Sequence, residues 1–172
     1  MTNPAPQAAG TVSYPGPATP AVPAFRMAGP SDWIVSDAPG VLALLSYAHV
    51  SDGFTPNIAV TASRVGSDVD LNRAADAAAT GLAARAISVT LRGGRQTTVA
   101  GCTAIERVFD FAVQGMPFWL VQRSLVFLVP SGSSHTRFVF QIQGSCLSHQ
   151  EQWFEPVISG ALQSFELTPS TT

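Results

Sequence analysis

"FDFAVQGMPFWLVQRSLVFLV", residues Phe109 to Val129, carries two charged residues, Asp110 and Arg123, in 21 positions. It reads either as one membrane helix or as two strands folded on each other, and much of the fold follows from the choice. A membrane helix needs about 20 apolar residues without breakers. Here Gly115 and Pro117 interrupt the run, and Gln114, Gln122 and Arg123 are polar. Split at "QGMP", the stretch becomes a strand over Thr103 to Val113 and a second over Phe118 to Val129. Side chains alternate along a strand. On the first, Ile105, Phe109, Phe111 and Val113 therefore share one face, and Cys102, Glu106 and Asp110 the other. On the second, Trp119, Val121, Arg123, Leu125 and Phe127 oppose Leu120, Gln122, Ser124 and Val126. Both faces are partly apolar, as in a central hairpin covered on two sides. No transmembrane segment is expected.

The pattern extends outward. After the turn "PSGSS", the strand "HTRFVFQIQG" alternates Phe138, Phe140 and Ile142 with Arg137, Val139 and Gln141, completing an antiparallel meander. Upstream, "FRM" and "WIV" read as short strands around Gly29-Pro30, followed by strands at Val41 to Tyr47 and Asn57 to Val65. "SDVDLNRAADAAATGLAARA" reads as a helix capped by Ser67 or Asp68, with Asp70 in its first turn. Leu71, Ala74, Ala75, Ala78, Leu82 and Ala86 form its apolar stripe. "ISVTL" and "QTTVAG" then pair as a hairpin around Arg92-Gly93-Gly94-Arg95. The last element is a short turn at 148–154 and a helix with Pro156 near its first position. Val157, Ile158, Ala161, Leu162 and Phe165 make its buried face.

At 172 residues, 46% hydrophobic and 12% charged, the chain suits one globular domain. A net charge of −2 supplies no basic field for nucleic acid. All nine basic residues are arginine, so chemistry that needs a lysine amine is excluded. Six of the 13 prolines fall in the first 23 residues. Residues 1–24 are accordingly expected to be a disordered Pro/Ala-rich tail serving as a spacer. Residues 25–167 are read as a single domain and 168–172 as a second disordered tail. The N-terminus has neither a basic start nor an apolar h-region. As written, this places the protein in the cytoplasm, or in the envelope or outside the cell if a leader has been removed.

Candidate chemistry is sparse. Cys102 opens the first meander strand and Cys146 follows the third, so they fall at opposite ends of the sheet, roughly 30 Å apart. Both are expected to be free thiols. Cys146 and His149 in "SCLSHQ" have the spacing of a nucleophile and base, but no third orienting group accompanies them. His49, His135 and His149 lack ligand spacing, so no metal site is expected. "RGGR" could grip a phosphate but reads first as a turn. With no dinucleotide, P-loop or nucleophile-elbow pattern, no catalytic residue and no cofactor is assigned. The binding candidates are Trp119 and Arg123, four residues apart on one strand face, lining a pocket with an apolar floor and one charge. The competing reading pairs Arg123 with a carboxylate such as Glu106 or lays it over an aromatic ring.

The order of strands, helix, long antiparallel strands and helix resembles the PsbP/Mog-like superfamily, nearest its LpqN/LpqT or DcrB-like branch. "PSDWIV" resembles its P-x-x-W opening strand, and "FTPNIAVTASRVGSDVDLNRAADA" its strand, loop and helix start. "VAGCTAIERVFDF", "FWLVQRSLVFLV" and "TRFVFQIQG" resemble its later strands, with Gly101 the sharpest match. The resemblance covers about residues 25 to 167. It implies an α+β fold, an α/β/α sandwich of antiparallel sheet with helices on both faces, and does not imply catalysis. It implies a non-enzymatic binding or adaptor protein that holds a protein or apolar segment, as a secretion- or envelope-associated chaperone does. The alternatives are a carrier of a lipid or other small apolar ligand and, last, a Cys/His-dependent enzyme.

Overall fold

The computed structural model describes residues 11–14, 22–50, 52–131 and 135–168. In chain order they form β1 (Thr11–Tyr14), β2 (Phe25–Ala28), β3 (Trp33–Ser36), β4 (Ala43–Tyr47) and β5 (Asn57–Gly66). Then come α1 (Leu71–Ala83), β6 (Ser88–Val99), β7 (Cys102–Ala112), β8 (Leu120–Pro130) and β9 (Thr136–Leu147). A 3-10 turn (Ser148–Gln150), α2 (Glu151–Gln163) and β10 (Glu166–Leu167) close the chain. Most of the expected N-terminal tail, residues 1–10 and 15–21, and residues 169–172 lie outside the described residues. Within that tail, however, Thr11–Tyr14 is a strand paired with β2.

The fold is α+β, mostly antiparallel sheet with two helices. Seven strands run in the order β3-β4-β5-β9-β8-β7-β6, and β1-β2-β10 form a small second sheet. The opening stretch does divide at its glycine and proline: β7 ends at Ala112, β8 starts at Leu120, and Gln114-Gly115 form the turn between them. Among the described residues no helix is long and apolar enough to cross a membrane.

Alternation on β8 sorts the core. Val121, Leu125, Phe127 and Val129 join one cluster with Phe140, Ile142 and α2's Ile158, Ala161 and Leu162. Val126 meets α1's Ala74 and Ala75, and Leu120 meets Leu82 of the same helix. Within the larger cluster, Phe25 stacks on Phe165 at 4.9 Å and Phe127 on Phe140 at 5.4 Å. Gly144 lets α2 settle on β9, since a Cβ there would stand 2.2 Å from Ile158 Cγ2.

Three local expectations are corrected. Arg92-Gly93-Gly94-Arg95 is not a hairpin turn: β6 runs through it, with a register shift between Leu91 and Gly93. The turn falls instead at Ala100-Gly101, both at positive φ. Glycine is as much at home in a strand irregularity as in a turn, and pairing along all of β7 outweighs the local turn signal. Second, Asp70, rather than Ser67 or Asp68, caps α1: it is extended, and its Oδ1 accepts the Arg73 amide at 2.8 Å. Third, α2 begins at Glu151 and carries Pro156 inside it. Proline costs a helix one hydrogen bond, but Pro156 faces solvent while Ile158, Ala161 and Leu162 are buried. Tertiary burial wins. Because the helix starts earlier, Val157 turns outward at 38% exposure, and Phe165 packs in the core beyond the helix end.

Candidate functional site

Strand β6 is the edge of the large sheet, and α2 packs over β9 and β8. The two elements therefore leave a cleft between them, floored by β7 and the β7-facing part of β8. At one end is a cavity of about 190 Å³ lined by Gly93, Gly94, Arg95, Glu106, Val108 and Arg123. It continues into a narrower recess of about 20 Å³, walled by Thr97 to Val99 of β6 and by Ser159, Leu162 and Gln163 of α2. Glu106 and Arg123 line both. Cross-strand register explains the shape. Gly93, Val108, Arg123 and Gly144 lie in one row across four strands, and Arg95, Glu106, Leu125 and Ile142 in the next. A row that begins with glycine at the sheet edge leaves room above Val108 and Arg123.

The polar groups of the cleft form a chain of ion pairs. Glu106, whose side chain is 7% exposed, receives Arg95 Nε at 2.7 Å on Oε2 and Arg123 on Oε1. Arg123 also reaches Glu155 on α2. One turn earlier on α2, Glu151 accepts Arg92 Nη1 at 2.6 Å, while Arg92 Nε contacts Asp110 at 2.6 Å. These hydrogen bonds, first to Asp110 and then to Glu151, raise the Arg92 pKa further above its ordinary value. Two guanidiniums from the sheet thus clamp carboxylates at i and i+4 of the helix. This charge-assisted network is partly buried, with Glu106 at its most enclosed point, and ties α2 to the sheet at two positions.

Of the two binding candidates, the structure puts Arg123 in this cleft and leaves Trp119 out of it. Trp119 lies just before β8, 45% exposed, and its carbonyl accepts the Ser148 amide at 2.9 Å. The pairing of Arg123 with Glu106 matches the competing reading of that arginine. Sequence reasoning missed Glu151 and Glu155. Their four-residue spacing was the available signal, but it carries meaning only once the helix is known to begin at Glu151. Arg92 and Arg95, expected to flank a turn, instead both place their guanidiniums on carboxylates.

The cysteines are unbridged, Cys102 half-buried and Cys146 buried. Burial, then the charges of Glu151 and Glu155, pushes the Cys146 thiol up to about 12. Burial also raises Cys102. The Nε2 of His149 lies 2.9 Å from Asp52 Oδ2, beside the Phe118 ring. Asp52 thus gives His149 a carboxylate partner, while the buried Cys146 holds its proton, and a protonated thiol is a poor nucleophile.

No protein-family model matches the chain. No curated protein matches it either. Solved structures do. The chain is similar to LpqN of Mycobacterium tuberculosis, a protein involved in cell envelope biogenesis, with a TM-score of 0.69 at 17% identity over 92% of each chain. It is similar to PA94 of Pseudomonas aeruginosa, a protein of unknown function, with a TM-score of 0.59 at 11% identity over 95% of this chain and 99% of that one. It is also similar to cyanobacterial PsbP from Synechocystis, with a TM-score of 0.56 at 15% identity over 98% of each. These identities speak to fold. The chain has the PsbP-like fold that LpqN, PA94 and cyanobacterial PsbP share.

Proposed function

We propose that the chain is a non-enzymatic binding protein that holds an extended segment of another protein in the cleft between α2 and β6. In this reading residues 25–167 act as one domain, its layers form an α/β/α sandwich, and its role is that of an adaptor or chaperone. The observation that carries the reading is the cleft itself. It is open at a sheet edge, and its two carboxylates, Glu106 and Glu155, are engaged by guanidiniums rather than poised on a reactive group. The likeness to LpqN supports an envelope-associated role, since that protein is involved in cell envelope biogenesis. Site-directed photo-crosslinking tests it. A photoreactive side chain at position 93, where a Cβ meets nothing within 4 Å, should capture a discrete partner. The same side chain at position 81, equally open but on α1, should not. Equal labelling from the two positions would refute the reading.

A second reading, a carrier of a small apolar ligand, has one observation in its favour. A groove of about 330 Å³ lies between α1 and the strands β5 and β9, with Val65, Val69 and Val139 among its walls. That volume is at the lower end for ligand pockets. Native mass spectrometry of freshly purified protein would show a bound mass lost on adding Ala78→Trp.

A further inference from the structure

The cleft has a chemical bias, and it bears on what the bound segment must carry; the inference rests on the reading above. Both oxygens of Glu106 already hold a guanidinium, Arg123 on Oε1 and Arg95 on Oε2. Arg95 uses only its Nε, and among the described residues its two terminal amino groups make no hydrogen bond. Its side chain is 64% exposed and stands at the mouth of the cavity. Arg123 has a further nitrogen, Nε, buried and without a partner. The spare hydrogen-bonding capacity of the cavity therefore lies in donors, and the accessible part of it is the planar end of one guanidinium. That end matches a carboxylate with two parallel bonds.

The neighbouring edge says what holds the carboxylate. Beyond the register shift, Gly93 to Val99 contains no lysine and no proline, and its single charge, Arg95, turns onto Glu106. Among the described residues nothing pairs with the outer side of β6. Edge strands are ordinarily guarded by outward charge, proline or a covering element. Here one seven-residue stretch has neither proline nor, among the described residues, a covering element, its one charge, Arg95, is drawn toward Glu106, and it runs beside a donor-rich cavity of about 190 Å³, room for one large side chain. A second copy of the chain fits poorly, because pairing two β6 strands about Arg95 would oppose the two guanidiniums.

We propose that β6 takes an extended acidic peptide as an added antiparallel strand, with one Asp or Glu side chain of that peptide seated over Gly93 against Arg95. Backbone pairing supplies the affinity and the cavity the selectivity.

The test uses the full chain, isotope-labelled, titrated with short peptides of alternating Thr and Val that differ in one central residue, Glu, Gln or Lys. The Glu peptide should shift the amides of Gly93 to Val99, and the Lys peptide should bind about tenfold more weakly, the gap closing at high salt. Gly93→Leu should fill the cavity and abolish the preference for Glu while the protein stays folded. If all three peptides bind at β6 equally, the acidic selectivity is wrong although the cleft still holds a segment. If the shifts fall on β3, the other edge, or nowhere, both readings fail.

Discussion

The two helices meet the sheet in different ways. Helix α1 lies down through alanine: Ala74 and Ala75 are 5% and 2% exposed against Val126, and its charged contact is Arg107, reaching Asp76 and the Ala75 carbonyl. Helix α2 meets four stacked aromatic rings and two arginine clamps, with glycine at position 144 removing the side chain that would hold it off. Over β7 and β8 alanine allows close approach, and the space there measures about 10 Å³, hardly one water; the groove of about 330 Å³ beside α1 opens on its other flank, over β5 and β9. Arginine–carboxylate pairs reach farther than methyl groups and hold the elements apart. Each helix thus borders an opening, walled mainly by alanine and valine beside α1 and by ion pairs beside α2.

That contrast can be broken by mutation. Phe140→Ala, at 0% exposure in the aromatic stack, should cost about 3–5 kcal/mol in urea unfolding. Leu82→Ala under α1 should cost about 2 kcal/mol, at the low end for its type, because its cluster is smaller. Equal losses would mean that the two interfaces contribute alike. Glu106→Ala should cost about 2 kcal/mol, since it leaves the largely buried Arg123 with Glu155 alone while the exposed Arg95 stays hydrated, and the pair Glu106→Leu with Arg123→Met should recover most of the loss. A double variant no better than the single one would show that the clamp is needed for packing and not only for charge balance. Asp70→Ala removes the α1 cap and should cost about 1 kcal/mol by thermal unfolding.

The thiols sharpen the comparison without large energies. With its folded pKa at about 12, above the ordinary thiol value of 9.0, Cys146 favours the native state fully below pH 9. That contribution fades as pH rises toward 12. At pH 8, Ellman's reagent should modify Cys102 in the native protein and reach Cys146 only as fast as the chain unfolds. Two equally fast thiols would contradict a sealed interface under α2.

Much of this was legible in local pattern. The break at Gln114 to Pro117, the two faces of β7 and β8, and the alanine stripe of α1 follow from periods of two and 3.6 residues, which a sequence displays directly. The pairing of Arg123 with Glu106 was also within reach, because adjacent meander strands put them next to each other. Two of the three misreadings share a cause. Gly93-Gly94 and Pro156 were interpreted as local breakers, and each is overruled by partners far away: β7 for the first, the core under α2 for the second.

By itself, then, the sequence determined which segments alternate, which form helices, and that the apolar middle folds back on itself, since these depend on residues within a turn or two of one another. The tertiary structure alone decided that β9 inserts beside β5, that β6 becomes the open edge, and that Glu151 and Glu155 arrive on Arg92 and Arg123 from 59 and 32 residues away. Periodicity records which face of an element is apolar but not which element covers it. That choice is made by the total burial of the whole chain.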